Sequence, residues 1–287
     1  MLVGAGIALS RLALIEVPPL TLAMLRYAIG FACLAPFAWR ERAAFAEAPR
    51  VHSRTRDLVA IAGLGIVQFG VLIALLNLGL QRIGSAEAAL IFSLFPLLTM
   101  LFSAALGRER ITSMLVAGVL VSILGVALSI APKLGAQSAG ENGWGDFAVF
   151  VAAALGATCS VLYRPYLRNY PTVPVSAIAM LASVAFLAIA ALPEHWPSRL
   201  GSFSTHAWLA VASVGISSSI GYFTWLYALK HEAPTRVTVF LALNPPTAAL
   251  LGWILLGEPV HAFVYAALVL VAAGLWLATR PAHGVPR

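Results

Sequence analysis

Aromatic and uncharged polar side chains stand inside long apolar runs of this sequence, where they could bind an organic solute. Ser218, Tyr222 and Trp225 are spaced so that they share one face of a helix. Polar groups beside aromatic walls suit an amphipathic solute, which needs apolar contact area and a few hydrogen bonds. Packing between helices or against lipid is the alternative interpretation. The candidate solute contacts are Gln68, Phe92, Ser93, Pro96, Tyr163, Tyr222, Trp225 and Asn244.

Three prolines lie in the middle of two of these runs: Pro96 in one, Pro245 and Pro246 in the other. A proline inside a helix removes a hydrogen bond and clashes with the carbonyl four residues back. We therefore predict that these prolines act as hinges. Asn244 directly precedes the double proline, and its amide would be costly to bury there without a partner. Kinks that merely shape the helices are the alternative.

The composition indicates a membrane protein. Hydrophobic residues make up 61% of the chain and charged residues 10%, and the mean hydropathy is +0.91. Soluble domains carry about 25% charged residues, so a soluble globule is excluded. The net charge of +7 does not indicate a nucleic-acid partner, because the basic residues stand singly between apolar runs and form no continuous stripe.

Ten runs approach the roughly 20 apolar residues that a spanning helix needs. The first is too short for the hydrocarbon core, so we expect the natural protein to begin several residues earlier. The predicted spans are residues 2–15, 19–39, 58–80, 84–106, 112–131, 144–167, 174–192, 207–229, 234–256 and 261–279.

The stretch 85–109 recurs 149 residues later as 234–258, with Pro96 matching Pro245. The register continues into the next span, where Gly125 matches Gly274. The small residues around Gly125 are spaced for close helix contact, and so are Gly63, Val67 and Gly70 in the third span.

This register divides the chain into two units of five spans. An odd number of spans inverts the second unit in the membrane, and prolines at corresponding positions of inverted repeats indicate a transporter's binding site. We predict an all-α polytopic membrane protein of ten helices, built as two inverted five-helix repeats around a central cavity. The parts are repeat 1–131, linker 132–143, repeat 144–280 and cytoplasmic tail 281–287.

The basic residues predict the orientation. With the N-terminus in the cytoplasm, only Arg82, Lys133 and Arg199 face outside, which satisfies the positive-inside rule. Both termini are then cytoplasmic, and a bacterial inner membrane is expected. Arg11 and Arg26 lie inside spans but toward their outer ends, within reach of snorkelling. Arg11 is a candidate for a solute carboxylate, although a structural role is favoured.

The chemistry of an enzyme is missing from the predicted spans. No Asp or Glu lies at mid-membrane, so a carboxylate proton relay is unsupported. The histidines lie in loops or at span ends, which argues against an intramembrane Ser/His dyad. No zincin spacing and no phosphate loop is present. We therefore expect no catalytic residues, no metal site, no cofactor and no enzyme activity.

The duplicated segment, with its Ser-Ala-x-Ala-Ala-Leu-Ile-x-Ser-Leu-x-Pro pattern from Ser85 and its Gly-x-Glu at 107–109, resembles the EamA-type repeat of the drug/metabolite transporter superfamily. Pro18–Thr21 with Leu25–Arg26 and Tyr227–Leu229 are similar to that family as well. The family's usual Trp-Gly would fall at 3–4, where the chain has Val-Gly. The resemblance implies a ten-helix bundle that exports small metabolites, most similar to the aromatic and hydrophobic amino-acid exporters.

We accordingly expect a monomeric exporter of amino acids or similar amphipathic metabolites that works by alternating access. The third, fourth, eighth and ninth spans would form the cavity. Transport down the solute gradient is favoured, because no mid-membrane carboxylate is present. The alternatives are a proton-coupled multidrug or metabolite carrier, a membrane enzyme acting on lipid-linked substrates, and a receptor that does not transport. The expected partners are a small-molecule solute and the bilayer.

Overall fold

The computed structural model describes residues 2–107, 113–134, 139–232, 234–239, 241, 251, 253–254 and 262–279. In chain order the α-helices are α1 (Leu2–Ala13), α2 (Pro19–Arg40), α3 (Arg42–Glu47), α4 (Arg54–Gly65), α5 (Leu72–Leu80), α6 (Ser85–Phe92), α7 (Phe95–Ala105), α8 (Ser113–Leu134), α9 (Ala139–Asn169), α10 (Thr172–Ala190), α11 (Trp196–Arg199), α12 (Thr205–His231), α13 (Pro234–Val239) and α14 (Ala262–Thr279). A π-helical segment, Ile66–Val71, joins α4 to α5, and short 3-10 turns flank α11.

The helices form a multi-pass bundle whose outer surface is apolar. Large side chains such as Ile189, 71% exposed, and Val269, 68% exposed, point away from the bundle and in a bilayer would contact lipid. Shorter apolar stretches lie in α8 and α14. Within the described ranges, the stretches long and apolar enough to cross a membrane are Pro19–Arg40, Arg54–Leu80, Glu87–Ala105, Gly143–Asn169, Thr172–Ala190 and Thr205–His231.

Two of these stretches depart from regular α-helix. The third predicted span is continuous from Arg54 to Leu80, but its centre, Ile66–Val71, is π-helical. The fourth is interrupted at Ser93–Leu94, between α6 and α7. Pro96 lies in the first turn of α7, where its missing N–H costs no helical hydrogen bond. The helix therefore breaks just before Pro96, and the hinge at Pro96 stays a prediction. The π segment was not predicted.

Helices α8 and α14 pack through small residues in antiparallel register. The Ser122 hydroxyl donates to the Val271 carbonyl at 3.4 Å. A Cβ added at Gly125 would lie 3.0 Å from the carbonyl oxygen of Ala267, and one added at Gly274 would lie 2.5 Å from that of Gly118. Glycines permit this close approach, which favours helix association in lipid.

The close contact predicted for Gly63 in the third span is wrong. A Cβ at Gly63 would meet nothing within 4 Å, because this face of α4 is exposed. Gly65, two residues on, instead contacts the backbone of α10 at Ala179. Gly70 makes the predicted kind of contact, against Ser183 and Phe186 of the same helix.

Carboxylates at one end of the bundle bind helix N-termini from the other half of the chain. Glu194 accepts hydrogen bonds from the backbone N–H groups of Leu20 at 3.0 Å and Thr21 at 2.7 Å, and from the Thr21 hydroxyl at 2.6 Å. Glu16 accepts from the N–H and hydroxyl of Ser204, which begins α12. The Ser204 hydrogen bonds lower the pKa of Glu16. Both contacts join residues of the first half to residues of the second.

A third carboxylate, Asp57 on α4, joins the halves near the loop between α9 and α10. Its side chain accepts from the Tyr170 hydroxyl at 2.7 Å and from the backbone N–H of Val51 at 2.9 Å, and is only 1% exposed. Burial and this hydrogen bond to Asp57 raise the pKa of Tyr170. Lys230 donates to the Tyr170 carbonyl at 3.2 Å and so adds α12 to the network.

Substitution of Gly274 by leucine should separate α8 from α14. The added side chain would overlap the Gly118–Ser122 turn, and overpacking of this kind typically costs about 1–3 kcal/mol. Thermal unfolding of the purified protein in detergent measures the effect. Gly63→Leu is the matched control, since that position faces open space. Equal loss of stability in the two variants would contradict the packing described for α8 and α14.

Removal of the Tyr170 hydroxyl should destabilise the protein, while removal of the Tyr163 hydroxyl should not. Tyr170→Phe deletes a buried hydrogen bond to a carboxylate, worth about 1.5–3 kcal/mol. The Tyr163 hydroxyl is buried and has no hydrogen-bond partner in the described part of the chain, so Tyr163→Phe should be neutral or stabilising. Chemical or thermal denaturation compares the pair, and the reverse order would refute the assignment.

Candidate functional site

A cavity lies inside the bundle, where the irregular backbone of the third and fourth predicted spans approaches α1, α2 and α12. It contains about 610 Å³ of unfilled space, counting the part open to solvent. The lining is mostly apolar and aromatic, with a few polar groups, as is usual for sites that bind small organic molecules. The lining residues are Ile7, Arg26, Gln68, Ile73, Leu76, Phe92, Phe95, Ser217, Ser218, Gly221, Tyr222, Trp225 and Leu241.

The aromatic wall is built across the two halves of the chain. Phe95, at the start of α7, meets Trp225 of α12 edge-on at 5.8 Å between ring centroids, and the Phe92 ring packs against Phe95 in a tilted arrangement at 5.4 Å. On the other side, Tyr222 packs against Phe69 of the π segment at 4.7 Å. Edge-on and tilted pairs are favourable arrangements. The rings therefore form a wall that an aromatic or aliphatic solute could contact.

Gln68 places an unsatisfied acceptor in this cavity. Its side chain is 4% exposed, and its Oε1 accepts no hydrogen bond in the part of the chain that the structure describes. Gln68 belongs to the π segment, and π segments within helices are frequent at functional sites. A buried acceptor without a donor is destabilising. A solute N–H group that enters the cavity would therefore be well matched to it.

Arg26 of α2 is the functional candidate that sequence reasoning missed. The expectation that it snorkels is wrong, because the residue is only 6% exposed and lines the cavity. Its Nε donates to the Ser218 hydroxyl at 2.5 Å and its Nη1 to the Ser10 hydroxyl at 3.2 Å. The sequence feature that could have indicated its burial is its position one turn before Gly30, on the face of α2 that packs inward.

Four of the predicted solute contacts meet in the cavity: Gln68, Phe92, Tyr222 and Trp225. Ser93 is buried behind them and donates to the Leu90 carbonyl. Pro96 is buried next to Phe95 but is not part of the lining.

The other predicted site residues lie elsewhere. Tyr163 is buried in α9 outside the lining. Arg11 also lies outside the lining. Its guanidinium donates to the carbonyl of Leu80, at the end of α5, and to that of Ile83, just beyond it. The remaining three, Asn244, Pro245 and Pro246, lie outside the described residues.

No carboxylate contributes to the described lining. Across the ranges that the structure describes, His, Cys, Asp and Glu side chains form no group that could hold a metal ion. The described lining offers a guanidinium, an amide, a few hydroxyls and aromatic surface, which are groups suited to noncovalent binding.

An all-helical, multi-pass bundle with such a cavity between its halves belongs to the class of membrane transport proteins. More particularly, the chain belongs to the EamA-like transporter family, whose model matches residues 1–131 and again residues 143–280. The family resemblance inferred from the duplicated motif is confirmed.

Individual relatives agree with this family. The chain is 31% identical to a probable terminal-alkyne amino-acid exporter of Streptantibioticus cattleyicolor, over 80% of this chain and 76% of that protein. It is 32% identical to an aromatic amino acid exporter of Ancylobacter novellus, over 55% of this chain and 58% of that protein. A solved crystal structure superposes with a TM-score of 0.67 at 26% identity, covering 97% of this chain and 95% of the other.

Proposed function

We propose that this chain is a secondary transporter that exports small amphipathic metabolites, with aromatic or hydrophobic amino acids as its main solutes, by alternating access. The observation that carries the proposal is the cavity lined both by the aromatic rings of Phe92, Phe95 and Trp225 and by the polar side chains of Gln68 and Arg26. The named activities of the relatives from S. cattleyicolor and A. novellus support the same class of solute.

The contact between α8 and α14 supports an inverted duplication. Gly125 approaches Ala267, and Gly274 approaches Gly118, so a shift of 149 residues exchanges the two contacts. A contact that maps onto itself in this way is isologous and implies a two-fold relation between the helices. Because the helices run antiparallel, the axis is perpendicular to them, in the plane of the membrane. Ten helices in two five-helix repeats, 1–131 and 144–280, fit this arrangement and the twofold family match.

The carboxylate contacts at the ends of the bundle could serve as gates. With the N-terminus in the cytoplasm, as the basic residues favour, Asp57 and Tyr170 lie at the cytoplasmic face and Glu194 and Thr21 at the outer face. Alternating access requires these two sets of contacts to open in turn. The break at Ser93–Leu94, beside Pro96, would let the fourth span bend as they do.

The cavity composition favours a facilitator. Coupling to protons usually needs a titratable carboxylate or histidine on the solute pathway, and the described lining contains neither. The solute gradient would then drive export. The alternative within the same superfamily is a proton-coupled carrier of drugs or other metabolites. Transport assays distinguish it from a facilitator.

Counterflow in proteoliposomes tests the proposal. Vesicles loaded with unlabelled phenylalanine should accumulate labelled phenylalanine through the wild-type protein. Trp225→Ala and Phe92→Ala should raise the half-saturation concentration about tenfold, because each removes aromatic contact worth about 1.4 kcal/mol. Trp39→Ala is the control, since Trp39 is 69% exposed on the bundle surface.

Two results would overturn parts of this proposal. Absence of counterflow for every aromatic and branched amino acid would exclude the proposed solutes. An imposed proton gradient should leave the initial rate unchanged, and a rate that follows the gradient would replace the facilitator with a proton-coupled carrier.

A further inference from the structure

We propose that Arg26 binds the carboxylate of the transported solute, so that the cavity selects metabolites carrying a carboxylate. This inference rests on the proposed function and narrows its substrate class. It assigns to Arg26 the role that sequence reasoning considered for Arg11, whose guanidinium instead binds backbone carbonyls at the end of α5.

The charge on Arg26 is buried without an anionic partner. The side chain is 6% exposed, and the described residues place no carboxylate within ion-pair distance of it. The hydrogen-bond acceptors of the Arg26 guanidinium, the hydroxyls of Ser218 and Ser10, are neutral. Removing such a charge from water is unfavourable, because it loses its hydration. An anion that enters the cavity would offset this desolvation free energy.

The guanidinium keeps enough donors for a carboxylate. Two of its five N–H groups are used, by Ser218 and Ser10. The remaining three belong to Nη1 and Nη2, and two parallel N–H groups are what a carboxylate accepts in bidentate geometry. Ser218 also donates to the Val214 carbonyl, which fixes its oxygen as an acceptor for Arg26. The arginine is therefore oriented by the protein before any solute binds.

The position of Arg26 fits a solute that spans the cavity. Arg26 lies seven residues after Pro19, the first residue of α2, and so roughly 10 Å along this helix. It lines the same cavity as Trp225 and Phe95. A carboxylate at Arg26 would leave the apolar part of the solute free to reach the aromatic wall. The unsatisfied Gln68 oxygen in the same lining could accept from a solute ammonium group.

Competition in the counterflow assay tests the assignment. Phenylalanine and 3-phenylpropionate, which carry a carboxylate, should inhibit labelled phenylalanine exchange at least about 30-fold more strongly than phenethylamine, which lacks one. Arg26→Gln should weaken inhibition by the two carboxylates to a similar degree and should not weaken inhibition by phenethylamine, which is itself a cation. Arg26→Lys should restore part of the effect, because it keeps the charge but loses the bidentate geometry.

A purely structural role for Arg26 predicts different results. Equal inhibition by phenethylamine and phenylalanine in the wild type, or an equal loss for all three compounds in Arg26→Gln, would overturn the assignment. The wild-type series needs no variant, so the test stands even if Arg26→Gln does not fold.

Failure of the proposed function is distinguishable from failure of this assignment. If the wild type exchanges no amino acid, the proposed solutes are wrong. Thermal stabilisation of the purified wild-type protein by 3-phenylpropionate, compared with phenethylamine, then tests Arg26 without transport. Stabilisation by the carboxylate alone supports the assignment, and equal or no stabilisation contradicts it.

Discussion

In a bilayer, a backbone N–H or carbonyl that leaves its helix must find another partner inside the protein or in a watery cavity. This constraint applies to the two described spans that depart from regular α-helix. The π segment carries Gln68, and the break between α6 and α7 is flanked by Phe92 and Phe95. All three residues line the cavity. The departures from regular helix and the candidate binding site are therefore one feature of the fold.

The kind of polar group differs with depth in the described bundle. The groups at the ends bear on stability, and the charged group in the cavity bears on the proposed transport. Carboxylates at the ends, Glu194 and Asp57 among them, join the two halves of the chain by accepting hydrogen bonds from a helix N-terminus and from a tyrosine hydroxyl. The cavity holds one guanidinium instead. In the proposed alternating-access cycle, end contacts of this kind would break and reform as the halves move, while a solute anion would match the unpaired interior charge. In the same proposal, the packing of α8 on α14 through glycines would be the fixed contact about which the halves move.

Sequence patterns predicted the six stretches of the described chain that are long and apolar enough to cross a membrane, because hydropathy is a local property. They also singled out four residues that line the cavity. They did not predict the π segment, since the apolar pattern of Ile66–Val71 fits an α-helix equally well. They misplaced Arg26 and Gly63, because distance along a helix does not determine which side faces protein and which faces lipid. The exposure of Gly63 and the burial of Arg26 are set by helix rotation, which only tertiary packing fixes.

A cryo-electron microscopy structure of the protein in lipid nanodiscs with saturating phenylalanine tests the central claim most directly. Our account predicts density for the amino acid inside the bundle, with its carboxylate within hydrogen-bond distance of Arg26 and its ring against Phe95 or Trp225. Phenylalanine bound elsewhere, or a cavity filled by side chains with no space for a solute, would contradict it.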